Sequence, residues 1–347
     1  GFSSALFCTT CHAWPSAKAN AATCLGIAVQ GQSCSSICEF TLDADMQDSD
    51  VLPPPTVPEA WLPHKLRKRQ GLLDHTDVPA RQKVPFIHWG YRPPPSGTWD
   101  LVASIFRIHN ETGNIWSHLI GAAYFAWIGL DTAFALTQAE SLEQQAAALW
   151  VLLLVAASAY CCGCSVLFHL CSCSQAGVRD CTYKMDLTGI IVLIAASYFT
   201  GIALGYHCYP TLRVFYLAYA GLVSLALAVP LVKPDMVKDM PRHLVVCVVM
   251  GLLPAVHFLA ISTSKETSCV LPYLLKMFGS YGAGACFYFA RWPERCWPGS
   301  FDIIGHSHQF WHLFVLLAAV SWLRGCSAMM LELSSCEAKE EVFLLFP

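Results

Sequence analysis

The sequence predicts an all-α integral membrane protein, a bundle of seven transmembrane helices. Three observations indicate this fold: 55% of the 347 residues are hydrophobic, only 13% are charged, and the apolar residues fall into seven runs. An ordinary soluble domain has roughly 25% charged residues, and a helix crosses a bilayer with about 20 apolar residues. The runs extend over Ile115–Leu136, Ala146–Leu170, Tyr183–Tyr206, Leu212–Val232, His243–Ile261, Leu271–Ala290 and Ile303–Leu323.

Charge and composition argue against nucleic-acid binding and divide the chain into three regions. Lys and Arg number 21 against 24 Asp and Glu, a net charge of −3, so no basic surplus exists to bind nucleic acid. Residues 1–84 are polar and rich in proline, which predicts a disordered cytosolic tail. Residues 85–327 form the predicted multi-pass membrane domain, for the plasma membrane or an endomembrane, and residues 328–347 a short C-terminal tail.

The segment before the first run and the loop charges complete the predicted topology. WDLVASIFRIHN, which starts at Trp99, places its apolar residues at helical spacing and predicts a short amphipathic helix at the membrane surface. Seven Lys and Arg lie in the loops after the second, fourth and sixth runs, and two in the loops after the first, third and fifth. Because positive loops stay in the cytosol, the N-terminus is expected inside and the C-terminus outside.

Four ionisable residues within the apolar runs point to function, since charged and titratable groups are costly in a bilayer. They are His169, Asp186, His308 and His312. In the predicted topology the end of the second run and the starts of the third and seventh lie at the same, cytosolic depth. His308 and His312 are four residues apart, so both rings face the same side of a helix.

Three imidazoles with a fourth position left open are the ligands of a catalytic zinc site. A carboxylate beside that position, here Asp186, can orient a water molecule and accept its proton. Ser165 precedes His169 by one helical turn and can hydrogen-bond that water or a substrate carbonyl. From spacing alone, histidines that only pack and form hydrogen bonds remain the alternative.

Four motifs resemble one family. SIFRIHNETGNIWSHLIG, SVLFH, KMDLTG and RWPERCWPGSFDIIGHSHQFWH are similar in order and spacing to the progestin and adipoQ receptor family, above all its adiponectin-receptor-like branch, which is related to haemolysin III. The resemblance covers roughly Pro85 to Ser327. It implies seven helices, a cytosolic N-terminus, and Zn²⁺ bound by His169, His308 and His312, with Asp186 and Ser165 beside the site.

The resemblance leaves two functions open. One is a zinc-dependent hydrolase of a lipid amide such as ceramide, in which Asp186 takes a proton from the attacking water. The other is a signalling receptor or scaffold, for an extracellular hormone or peptide ligand, whose zinc is purely structural. A retinal-binding or G-protein-coupled protein lacks support, because the last run has no Lys and the third no DRY motif.

Two further features stay open at this stage. Glu111 immediately precedes the first run, where it either favours the positive end of the helix or contacts a metal ligand. Cysteines lie on the predicted outer side of the membrane, where a disulfide is one interpretation and its pairing cannot be deduced. They are Cys208, Cys269, Cys326 and Cys336.

Overall fold

The computed structural model describes residues 71–232 and 240–332. Within these ranges the chain forms one two-stranded sheet and nine α-helices. The strands are β1, Leu73–Asp74, and β2, Trp89–Tyr91. The helices are α1, Thr98–Ser104; α2, Thr112–Thr137; α3, Leu142–Cys171; α4, Ala176–Gly205; α5, Pro210–Val232; α6, Met240–Met250; α7, Leu252–Ile261; α8, Ser264–Ala290; and α9, Ser307–Glu332.

The helices form a membrane bundle, as the sequence predicts. Six segments of the described residues are long and apolar enough to cross a bilayer. These are Thr112–Thr137, Leu142–Cys171, Ala176–Gly205, Pro210–Val229, His243–Ile261 and Ser307–Leu331. Helix α8, with 27 residues, matches the remaining predicted run and is long enough to cross, but it is less apolar because Lys276 and several glycines lie within it. The orientation of the termini stays a prediction.

Several predicted runs differ from the helices observed, and α4 and α8 begin seven residues before their predicted runs, at Ala176 and Ser264. The run His243–Ile261 contains two helices that meet at Gly251, where an added Cβ would lie 2.4 Å from the ring of Tyr198. The run Ile303–Leu323 begins too early, because Gly305 has a φ of +86° and α9 starts only at Ser307. Hydrophobicity alone reveals neither the close approach nor the turn.

Helix α9 contacts α2, α3, α4 and α8, so residues in its first turns can meet side chains from several helices. Glu294 fixes the start of α9, since its carboxylate accepts hydrogen bonds from the backbone N–H of Ser307, at 2.8 Å, and from the Ser307 hydroxyl. Helices α3 and α4 approach closely: a Cβ at Gly189 would lie 2.9 Å from the Cα of Cys161. These packing features bring together the end of α3 and the starts of α4 and α9.

The segment before α2 forms a small unit of its own. β1 pairs antiparallel with β2, and Val78, Ile87 and Tyr91 form its core. The unit joins the loop between α8 and α9 through the hydrogen bond from the N–H of His88 to Asp302, at 2.8 Å. Helix α1 leaves Trp99 84% exposed, as expected of a helix at the membrane surface.

The predicted tails lie mostly outside the described residues. The structure describes neither residues 1–70 nor residues 333–347; residues 71–84, which the sequence assigns to the N-terminal tail, contain β1 and two 3-10 turns. Among the four cysteines that the sequence places on the outer side, Cys208 is disulfide-bonded, Cys326 carries a free thiol, and Cys336 lies outside the described residues.

Candidate metal centre

Three histidines meet at one end of the helix bundle. His169 lies in the last turn of α3, and His308 and His312 lie in the first turns of α9. Each offers one ring nitrogen, and these three atoms all lie within 4.8 Å of one another. The three side chains are buried or nearly so, as ligands shielded from bulk water would be. We call this set the histidine group.

One pair of donor atoms has the spacing that a tetrahedral metal ion requires. Nε2 of His308 is 3.3 Å from Nε2 of His169. Nitrogen ligands that each lie about 2.0–2.1 Å from a tetrahedral zinc ion are about 3.3–3.4 Å apart. The histidine group can therefore hold a metal ion, and three protein ligands leave one tetrahedral position for water or substrate.

Glu111 and Asn114 orient the ring of His169. Oε2 of Glu111 lies 2.8 Å from Nδ1 of His169 and accepts a hydrogen bond from Nδ2 of Asn114 at 2.6 Å. Burial raises the pKa of the Glu111 carboxyl, but His169, Asn114 and Arg92 together outweigh burial and hold that pKa well below its usual range. The carboxylate thus accepts the Nδ1–H of His169 and leaves Nε2 free for a metal. Glu111 makes no side-chain capping hydrogen bond at the start of α2.

The ring of His312 is oriented in the same way by a different residue. The hydroxyl of Ser117 donates to the backbone carbonyl of Asn114 at 3.0 Å and lies 3.1 Å from Nδ1 of His312. Because the hydroxyl proton is used on Asn114, the oxygen accepts the Nδ1–H of His312. Nε2 of His312 is therefore the nitrogen that can bind a metal.

Asp186 and Ser165 lie beside the histidine group. The side chains of Ser165 and His169 are both close to the Asp186 carboxyl. The contact follows from the close approach of Gly189 and Cys161 described above, because Asp186 lies one turn before Gly189 and Ser165 one turn after Cys161. The structure thus brings all six residues that the sequence singles out to one end of the bundle.

Sequence reasoning missed the contribution of α2. Asn114, Ser117 and His118 face the histidine group together with Glu111, and the ring of His118 stacks on that of His312, with ring centroids 3.8 Å apart and an angle of 14° between the planes. A signal existed: these polar residues are spaced three to four apart and share one face of an otherwise apolar helix.

The chain is similar in sequence to one described protein family and to several known proteins. Residues 106–323 match a family described as haemolysin-III related. The adiponectin receptor protein of Drosophila melanogaster is 33% identical over 251 residues, which cover 70% of this chain and 56% of that protein. The chain therefore spans little more than half the length of this relative.

Two further relatives come from a plant and a nematode. Heptahelical transmembrane protein 3 of Arabidopsis thaliana is 30% identical over 293 residues, covering 72% of this chain and 85% of that protein. Progestin and adipoQ receptor-like protein 1 of Caenorhabditis elegans is 30% identical over 251 residues, covering 70% of this chain and 57% of that protein.

Proposed function

We propose that this chain, which belongs to the haemolysin-III-related family that includes the progestin and adipoQ receptors, is a zinc-dependent hydrolase of lipid amides such as ceramide. Its buried histidine group lies beside a carboxyl group. The observation that carries this proposal is the combination of three imidazole ligands with Asp186 at the same end of the bundle. Purely structural zinc sites are usually closed by four protein ligands, whereas catalytic sites keep one position open.

The chemistry divides between the metal and the chain. A bound zinc ion would supply Lewis acidity and a water molecule that loses its proton near neutral pH. His169, His308 and His312 would hold the ion, and Glu111 and Ser117 orient the rings of His169 and His312 for that purpose. The hydroxyl of Ser165, which is close to the Asp186 carboxylate, would help to position that carboxylate.

Asp186 acts as the general base and then as the general acid. It accepts the proton of the attacking water as the water oxygen bonds to the amide carbon. It returns that proton to the amide nitrogen as the C–N bond breaks, which releases a fatty acid and a free amine. The two proton transfers balance, so the carboxylate is regenerated.

An apolar cavity supports a substrate with a long acyl chain. This cavity lies between α4, α6, α7, α8 and α9 and is lined almost entirely by apolar side chains, among them Phe258 and Trp322. Tyr281 also lines it and lies near Cys161 and Cys162, and both cysteines lie near Asp186. The cavity thus lies within the same helix bundle as the candidate centre.

The experiment compares hydrolysis and metal content in the same purified protein. We expect wild type to contain zinc and to release fatty acid from ceramide, and Asp186→Asn to keep its zinc but lose the activity. Asp180→Asn is the matched control, since Asp180 lies on the same helix with its side chain exposed. If zinc is present and wild type is as inactive as Asp186→Asn on a panel of lipid amides, the hydrolase function is wrong and a structural metal is the remaining role.

A receptor role is the second candidate, and the observation that favours it is similarity to relatives named as receptors. In that role an extracellular hormone or peptide would be the partner and the metal would only tie α3 to α9. Binding of a candidate hormone to wild type and to the metal-free protein tests it, since a receptor with structural zinc loses both binding and thermal stability when zinc is removed.

A further inference from the structure

We propose that Arg92 and His109, which precede the first membrane-spanning helix, are positioning residues for the metal centre. With Ser104 and Glu111 they form a closed ring of hydrogen bonds that holds His169 at two points, its backbone carbonyl and its imidazole. We call this set of contacts the hydrogen-bond ring. The inference rests on the proposed binding of metal by His169.

Arg92 makes the first half of the hydrogen-bond ring. Its guanidinium is buried, with the residue 7% exposed, and Nη2 donates to the backbone carbonyl of His169 at 2.6 Å and to the Ser172 hydroxyl at 3.2 Å. Nη1 donates to the hydroxyl of Ser104 at 2.7 Å. One side chain thus fastens the end of α3 to the end of α1.

The carbonyl of His169 lies at a helix end and accepts two side-chain hydrogen bonds, one from Arg92 and one, at 3.0 Å, from the Ser172 hydroxyl. The last four carbonyls of a helix have no intrahelical N–H to accept from, and α3 ends at Cys171. A cation is also favourable at a helix C-terminus, where the peptide dipoles leave a partial negative charge. Arg92 meets both requirements at the very residue whose ring belongs to the histidine group.

His109 makes the second half of the ring. It is 1% exposed, its Nε2 lies 3.0 Å from the backbone carbonyl of Ser104, and its Nδ1 accepts the backbone N–H of Glu111 at 3.1 Å. These two contacts assign a neutral imidazole with its proton on Nε2. Glu111 then closes the ring through its carboxylate on Nδ1 of His169.

The hydrogen-bond ring makes the orientation of His169 depend on a segment outside the bundle. Rotation of the His169 imidazole requires movement of Glu111, and displacement of its backbone requires movement of Arg92. Partners that orient a metal ligand in this way typically contribute about 10- to 100-fold in metal affinity. The segment from Arg92 to Glu111 is therefore part of the metal centre although it supplies no ligand.

The test measures zinc affinity of the full chain by competition with a chromophoric chelator. We expect Arg92→Gln to weaken zinc binding by about 10- to 100-fold, and Arg92→Lys to restore it only in part, because an ammonium keeps the charge but not the planar fork. Arg107→Gln is the matched control: Arg107 lies in the same segment, and its side chain is 63% exposed. Its zinc affinity should equal that of wild type.

A spectroscopic readout separates positioning from general stability. With Co²⁺ in place of zinc, the visible absorption of the Arg92 variants should differ from that of wild type and of Arg107→Gln. If Arg92→Gln does not fold, Ser104→Ala removes one contact without stranding a buried charge and should shift affinity in the same direction. Folded variants with wild-type zinc affinity and Co²⁺ spectrum would overturn the inference, whereas zinc-loaded wild type without hydrolase activity would overturn only the proposed function.

Discussion

The carboxylate of Glu111 lies 2.8 Å from Nδ1 of His169, and this contact determines which nitrogen of His169 faces the other two histidines. The residue that starts the first long helix thereby controls a ligand at the end of the second. A carboxylate that accepts the second ring N–H of a ligating histidine fixes its tautomer and raises its basicity.

Replacing Glu111 by Gln should weaken zinc binding by about 10-fold or more, because the amide carries no charge to strengthen the His169 ligand. Zinc affinity measured by chelator competition checks this. Glu143→Gln is the control, since Glu143 is an exposed acidic residue in the first turn of another long helix. Equal zinc affinities for the two variants would mean that Glu111 serves the helix terminus and not the metal centre.

His118 should prove not to be a ligand. Its ring lies flat on that of His312, so an aromatic ring without nitrogen can take its place, and it lies outside the group of three donor atoms. We expect His118→Phe to bind zinc with wild-type stoichiometry, and His312→Phe to lose stable binding. Metal analysis of the two purified variants checks this, and loss of zinc from His118→Phe would show that the centre has a fourth imidazole.

His109 should make the protein less stable in mild acid. Burial, and next the charge of Arg92, lower the pKa of His109 to about 4 from an ordinary value of 6.5; Arg107 lowers it further, whereas Ser104 and Glu111 oppose the change. Between these two pH values the unfolded chain binds the proton and the folded chain does not, so the stabilisation is complete above pH 6.5 and is lost as the pH falls towards 4. The slope is at most about 1.4 kcal/mol per pH unit.

Thermal unfolding of the purified protein between pH 4 and pH 7 measures this effect. His109→Gln should flatten the dependence of the unfolding temperature on pH, and His88→Gln, which changes an exposed imidazole, should leave the dependence as it is in wild type. Identical pH profiles for His109→Gln and wild type would contradict the assignment of a neutral, buried His109.

The sequence predicts the helices and the ligands better than it predicts their supports. Long apolar runs mark most of the bundle, and the spacing of His308 and His312 indicates a shared face, because both signals are local and periodic. The turn at Gly305 and the junction at Gly251 depend on local backbone geometry and on a neighbouring ring, neither of which a hydrophobic pattern encodes.

The burial of Arg92 is a feature that the sequence does not predict. In the sequence it stands before a proline-rich stretch, where an arginine is expected to be exposed. It is buried because α3 ends beside it and the carbonyl of His169 accepts its hydrogen bond. Such a contact joins residues 77 positions apart, and a single sequence carries no signal for it.

Filling the apolar cavity should change the preference for acyl chains. Ala255 lines the cavity, and Ala255→Phe is expected to lower kcat/KM for long-chain ceramides by about 10-fold or more, with a smaller effect on short-chain analogues. Val256→Phe is the control, because the neighbouring Val256 is 63% exposed on the surface of the bundle. A uniform loss across chain lengths, or an equal loss in the control, would place the acyl chain elsewhere.

The central claim is that three histidines and no other side chains hold the metal. Zinc K-edge X-ray absorption of the purified, zinc-loaded protein tests it most directly, because the chain also has 18 cysteines and sulfur ligands are readily distinguished from nitrogen. We predict three imidazole nitrogens at about 2.0–2.1 Å and one oxygen of water. A sulfur shell at about 2.3 Å, or protein that takes up no zinc, would contradict this centre.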